Sequence, residues 1–269
     1  MRILWINPVG TELYDQAIGT LLKREARRET RVDVVSLPKD RPQHLEYHAY
    51  EAIVTPDIVR IVYALKGQYD AFVIGCFYDV ALREAREVSG DAVVLAPCQS
   101  SLVYAAHLGT SFSVLVGRRK WIPKMEENIR SYGCADRLAS MRPLELGVHE
   151  FQQDPEETAR RMLAEGKKAV ENDGAELLIL GCTIEFGFYK TMQEGLGIPV
   201  IDAVLSPFKL AETLGESALR FGWTPSRKGG CEAPPEEEAS RWGLGQGTPI
   251  GNLLEFADIP AEGERRPYP

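Results

Sequence analysis

Two cysteines lie in matching surroundings: Gly75-Cys76 follows Ala71-Phe72-Val73-Ile74, and Gly181-Cys182 follows Leu177-Leu178-Ile179-Leu180. Inverting a carbon centre without a cofactor needs a base on one face and an acid on the other, because a single base returns the proton to the side it left. Two opposed thiols meet that need. A free thiol ionises at about 8.5 and lower beside a helix N-terminus or a cation, so a thiolate and a thiol can coexist near neutral pH. The other cysteines, at 98, 134 and 231, form no CxxC pair, so neither a zinc finger nor a disulfide framework is expected. For a single cysteine, burial as a small hydrophobe is the commoner outcome. Two equivalent Gly-Cys sites shift the reading to chemistry.

Around these thiols, backbone N–H groups after Asn7 and around Phe77, Gly117 and Thr183 are candidates to hold a substrate oxygen as an oxyanion hole does. Asn7 either projects its amide into a crevice or serves as a strand-end turn residue, and propensity alone does not separate the two. Thr183 offers a hydroxyl beside the second thiol or an N-cap; Asp79 and Asp202 read more readily as helix caps than as ligands. His44 and His48 share one helical face, but a catalytic metal normally takes three protein ligands, and no third is evident. Arg118, Arg119 and Lys120 are either a solvated charge run or the cations nearest an anionic substrate. Neither a Walker sequence nor a GxGxxG fingerprint stands in a strand-to-helix context, so no nucleotide cofactor is expected.

The elements that must position these groups alternate. Apolar, β-branched runs at 3–6, 32–35, 71–74, 92–95, 112–116, 177–180 and 199–201 read as buried parallel strands. Amphipathic stretches at 14–28, 55–64, 82–88, 101–108, 125–132, 155–172 and 207–220 read as helices, giving an α/β chain. The two Gly-Cys segments are 106 residues apart, and that offset also carries Val94-Leu95 onto Val200-Ile201 and His107-Leu108-Gly109 onto Thr213-Leu214-Gly215. Two similar halves follow, each with its cysteine at the carboxyl end of a parallel strand, where open α/β sheets bind ligands.

With 44% hydrophobic and 26% charged residues the chain is an ordinary globular one, and its net charge of −8 offers no basic field to nucleic acid or anionic lipid. The N-terminal apolar run is too short for a signal peptide, and no run approaches a membrane span, so a cytoplasmic location is expected.

Together and in order, Ile3-Leu4-Trp5-Ile6-Asn7-Pro8, Gly75-Cys76-Phe77-Tyr78-Asp79, Arg83-Glu84-Ala85-Arg86, Gly181-Cys182-Thr183 and Ile198-Pro199-Val200-Ile201-Asp202 resemble the aspartate/glutamate/hydantoin racemase superfamily. The likeness runs from about Met1 to Gly222 and is nearest to hydantoin racemases in the first half. It implies two flavodoxin-like halves related by a pseudo-two-fold, with parallel sheets and one cysteine on each side of a small pocket. The implied halves are 1–97 plus 205–222, and 98–204. It further implies a small substrate bearing a carboxylate or a cyclic amide, no cofactor, His48 or Tyr50 at the pocket mouth, and a homo-oligomer.

Where hydantoin racemases usually carry a proline after the aspartate and a glutamate after the next strand, this sequence reads Asp79-Val80 and Pro97-Cys98-Gln99-Ser100-Ser101. A changed pocket floor is therefore expected, with Gln99 and Ser100 among the substrate-binding residues together with Asn7, Phe77, Gly117, Arg118 and Thr183. Residues 223–269 lie outside the likeness. Their Gly, Pro and acid content suggests an extended arm, while Trp242, Leu253, Leu254 and Phe256 suggest docking on a neighbouring subunit or over the active site. Racemisation at an acidic C–H leads. Decarboxylation, cis-trans isomerisation, or hydrolysis or desulfuration of a hydantoin or thiohydantoin ring in the same pocket is the neighbouring expectation, and a non-catalytic binder is the third.

Overall fold

The computed structural model describes residues 1–256. In chain order the strands are β1 (Arg2–Asn7), β2 (Arg31–Ser36), β3 (Ala71–Ile74), β4 (Val93–Leu95), β5 (Phe112–Val116), β6 (Leu138–Pro143), β7 (Leu177–Leu180), β8 (Val200–Ile201) and β9 (Asn252–Phe256). The α-helices are α1 (Asp15–Glu25), α2 (His48–Leu65), α3 (Leu82–Val88), α4 (Pro97–Leu108), α5 (Ile122–Ser131), α6 (Pro155–Glu171), α7 (Tyr189–Leu196), α8 (Leu205–Phe221) and α9 (Glu236–Arg241). No helix among the described residues is long and apolar enough to cross a membrane.

The strands form two sheets, ordered β4-β3-β1-β2-β9 and β6-β5-β7-β8. All pairings are parallel except β2 with β9. Matching β1 through β4 with β5 through β8 gives the same strand order in both sheets, which is consistent with the expected duplication. Each sheet is an α/β layer, as expected. In β1 the side chains alternate with period two: Ile3 and Trp5 pack into a core shared with the second sheet, while Leu4 and Ile6 pack against α2 and α3. The chain returns at its end through α8, which packs on β3, β4 and α4. Ser101 of α4 and Ser206 of α8 meet there at 2.8 Å.

Two strands were not anticipated. β6 is an edge strand with all six residues only half-buried, so its sequence, Leu-Ala-Ser-Met-Arg-Pro, lacks an apolar run. β9 lies within the segment read as an extended arm. It pairs antiparallel with β2 of its own chain, placing Phe256 in the core and Leu254 against it. Trp242 stays exposed, and residues 257–269 of the arm lie outside the described residues.

Candidate active site

Each Gly-Cys pair is where a strand ends and the chain must turn inward. The Gly75 N–H donates to Ile6 O, and the Gly181 N–H to Leu115 O, both at 2.8 Å. A Cβ at Gly75 would stand 2.7 Å from the Trp5 indole, and one at Gly181 2.4 Å from Leu115 O, so glycine is required for the approach of the neighbouring strand. The following cysteines both open onto one small cleft, lined from the first half by residues that include Asn7, Pro8, Val9, Tyr14, His44, Leu45, Glu46, Cys76, Phe77 and Tyr78. From the second half Trp121, Met125, Val148, Cys182, Thr183 and Ile184 complete it.

The Tyr78 N–H donates to the Cys76 sulfur and the Ile184 N–H to that of Cys182, two residues on in each case, and the Cys182 sulfur also accepts from the Glu185 N–H in a capping box. Burial nevertheless dominates: it pushes the Cys76 thiol up to about 12 and raises that of Cys182 as well. The expectation of helix N-termini lowering both thiols is therefore corrected. α3 begins only at Leu82, and Cys182 is followed by a single 3-10 turn, Thr183–Glu185, so no helix dipole of any length points at either sulfur.

Of the other expected residues, Asn7, Phe77 and Thr183 line the cleft. Asn7 Oδ1 accepts from Trp5 Nε1 at 2.6 Å, and its Nδ2 donates to Asp15. Thr183 is not an N-cap; its hydroxyl donates to Gly75 O at 3.2 Å, joining the halves beside both thiols. Gly117, Arg118, His48, Tyr50, Gln99 and Ser100 are not in the lining. At Gly117 the absent side chain makes room for the Trp121 ring, which does line the cleft. Arg118 donates to Glu46 at 2.6 Å instead of facing the cavity. His48 pairs with Glu51 at 3.0 Å and stacks on the outer side of Tyr78, while Tyr50 packs on His44 and Tyr47. Gln99 accepts from Arg86, and Ser100 is buried in α4. The expected change of pocket floor at 98–101 is thus a helix start, capped by Asp79, which accepts from the N–H groups of Cys98 and Gln99. Asp202 likewise caps α8. Cys98 is a fully buried packing residue.

Three lining residues escaped the reading from sequence. Glu46 binds across the halves, accepting from Arg118 and from the Val148 N–H. Burial opposes its charge, but those bonds and His44 outweigh it and hold the carboxyl below its ordinary range. Trp121 is buried and its indole N–H has no acceptor among the described residues. Tyr14 stacks toward His149 at the cleft's outer rim. Behind the lining, Glu185 is fully buried: Oε2 accepts from the Cys182 N–H at 3.2 Å, while Oε1 has no hydrogen-bond partner among the described residues. Burial raises its carboxyl well above the usual range. The repeat offset was a usable signal here, since it places Glu185 on Asp79, which burial likewise pushes up, to about 6.

Residues 3–211 match the family model described as Asp/Glu/Hydantoin racemase. The chain belongs to that family. It is 36% identical to a hydantoin racemase of Pseudomonas sp. (strain NS671) over 217 residues, covering 80% of this chain and 86% of that protein. A hydantoin racemase of Rhizobium meliloti is 34% identical over 80% of this chain and 88% of its own length. Among solved structures, an allantoin racemase from Klebsiella pneumoniae superposes with a TM-score of 0.80 at 23% identity, covering 88% of this chain and 94% of that one, a likeness of fold. The protein is accordingly an isomerase of racemase type acting on a small molecule.

Proposed function

We propose that this family member racemises 5-substituted hydantoins, with Cys76 and Cys182 as the two acid–base groups and no cofactor taking part. The observation that carries the reading is that two thiols at equivalent strand ends open onto one cleft between the halves. One sulfur, as thiolate, removes the C5 proton, the electron pair moves onto the C4 carbonyl oxygen as an enolate, and the other thiol returns a proton to the opposite face. The reverse direction exchanges the two roles.

A donor for that oxygen is at hand, since Asn7, whose amide carries N–H groups, belongs to the lining. The walls beyond the sulfurs, Val9, Tyr14, Leu45, Trp121, Met125, Val148 and Ile184, are mainly apolar. They favour an aliphatic or aromatic 5-substituent over a polar one. The names of the curated relatives, hydantoin racemases at 34–36% identity, support the same class. Because the 98–101 segment stands outside the lining, it supplies no reason to prefer decarboxylation or ring opening.

The test is NMR of 5-benzylhydantoin, 5-isobutylhydantoin, allantoin, aspartate and phenylmalonate in D2O. The expected result is deuterium entering C5 of the two apolar hydantoins, with the rate of racemisation falling at least 1,000-fold in Cys76→Ala and in Cys182→Ala. A new product signal, or inversion that survives loss of either thiol, would sink the two-thiol reading, whereas exchange with retention in one enantiomer only is what a single remaining thiol should give. Unchanged ligand affinity in the double variant, with no exchange in the wild type, would make the protein a binder.

A further inference from the structure

The C-terminal strand β9 lies outside the matched family region, which ends at residue 211, yet it reaches the pocket's polar support. Asn7 pairs with Ser36 in β1–β2, and Ser36 with Asn252 in β2–β9, so the three stand in one row across the sheet. Side chains in one row share a face, and strands are about 4.8 Å apart, which places the two asparagines on the α1 side roughly 10 Å from each other. Asp15, the first residue of α1 and wholly buried, fills that gap. Its Oδ1 accepts from Asn7 Nδ2 at 2.5 Å and its Oδ2 from Asn252 Nδ2 at 3.1 Å. On the other side of Asn7, Trp5 Nε1 donates to Oδ1 at 2.6 Å.

We infer that Asn252 is a positioning residue of the pocket: through Asp15 it fixes the amide of Asn7 in the one orientation that presents its remaining N–H to a bound substrate. An indole donor on one end of the amide and a carboxylate acceptor on the other forbid the flipped form, which would oppose N–H to N–H and oxygen to oxygen. The carboxylate keeps that role only while both of its oxygens are satisfied, since a buried oxygen deprived of its donor seeks another partner by rotating. Asn252 is the donor to the second oxygen. The strand that brings it is held independently: Phe256 seats against Gly19 of α1, and the alternate residues Leu253 and Glu255 face out. The segment after Gly222 is therefore part of the site's construction, with Asn252 as its working residue.

The inference rests on the proposed racemase reading for its kinetic arm, and a second readout frees it from that dependence. In the full-length chain with 15N-labelled tryptophan, the Trp5 indole N–H reports the orientation of Asn7 whether or not a substrate is known. In Asn252→Ala that signal is expected to shift and to exchange with solvent faster. kcat/KM for 5-benzylhydantoin is expected to fall about tenfold, the worth of one oriented hydrogen bond, with most of the fall in kcat because the amide serves the oxygen that gains charge as the proton leaves. Adding Asn252→Ala to Asn7→Ala should lower kcat/KM no further, because both act through one amide. Asn252→Gln, which keeps the donor, should recover most of the loss, and Leu253→Ala should behave as wild type. An unchanged Trp5 signal, or additive effects of Asn7→Ala and Asn252→Ala on kcat/KM, overturns the inference. A shifted Trp5 signal in a protein that exchanges no hydantoin leaves the positioning intact and overturns the racemase reading instead.

Discussion

At the scale of single residues the pocket is governed by desolvation. The Cys76 thiol, pushed up to about 12, and the Cys182 thiol, also raised, are both protonated in the free protein near neutrality. The profile of kcat/KM, which reports the free enzyme, should therefore climb nearly tenfold per pH unit from 7 to 9 with no plateau; a bend near pH 8.5 would mean an unshifted thiol, and a plateau by pH 8 a lowered one. Glu185 gives a stability test with a defined sign. Its carboxyl is raised in the fold, so above the ordinary carboxylate range the unfolded chain sheds a proton that the folded one keeps, and stability falls as pH rises. Glu185→Gln keeps an acceptor for the Cys182 N–H and removes that penalty. Its Tm should exceed the wild type's at pH 7–8, by roughly 2–4 °C for each kcal/mol relieved, and match it near pH 4. An equal gain at both values would refer the effect to packing. The two cysteines, Asn7 and Thr183 were legible because residue type and strand-end position coincide in them. Glu46 and Trp121 were not, since each is an ordinary carboxylate or aromatic until the fold buries it, and Glu185 could be found only through the repeat offset from Asp79.

At the scale of elements, β1, β3, β5 and β7 announced themselves as apolar runs because neighbours bury them on both faces, as parallel central strands require. β9 was hidden for the opposite reason. As an edge strand it buries only Leu254 and Phe256 of Asn-Leu-Leu-Glu-Phe, within a segment whose Gly and Pro content reads as an arm. Its docking depends on a missing side chain: a Cβ on Gly19 would lie 2.1 Å from the Phe256 ring. Gly19→Ala improves helix propensity in α1 by up to ~1 kcal/mol, yet overpacking of this kind costs about 1–3 kcal/mol. The net expectation is destabilisation in urea unfolding together with new protease cleavage between 223 and 251. Gly19→Ala in a Phe256→Ala background should reverse sign and stabilise. If it destabilises there as well, Phe256 is not what the glycine accommodates.

At the scale of the whole molecule, the cleft exists only while the two halves stay joined around it. Thr183 to Gly75 O, Asn128 to Tyr78 O at 2.7 Å and Tyr132 to Asp79 at 2.8 Å tie the inner side. Across the mouth the tie is Glu46 with Arg118 and the Val148 N–H. Arg118 was expected to meet an anionic substrate; its place on Glu46 makes it a strap between halves. The two roles predict different selectivity. If Arg118 only closes the mouth, Arg118→Met should raise KM a few-fold for a neutral hydantoin and for a 5-carboxyethyl hydantoin alike. For the neutral hydantoin it should also abolish any dependence of KM on added salt, which in the wild type screens the exposed Arg118 end of the pair. Lower pH should imitate the substitution: Glu46 is held below its ordinary range by the fold, so the tie is intact above the usual carboxylate value and fails as pH falls through the lowered one. A loss confined to the anionic hydantoin would return Arg118 to the substrate and leave the mouth closed by Val148 and the inner ties alone.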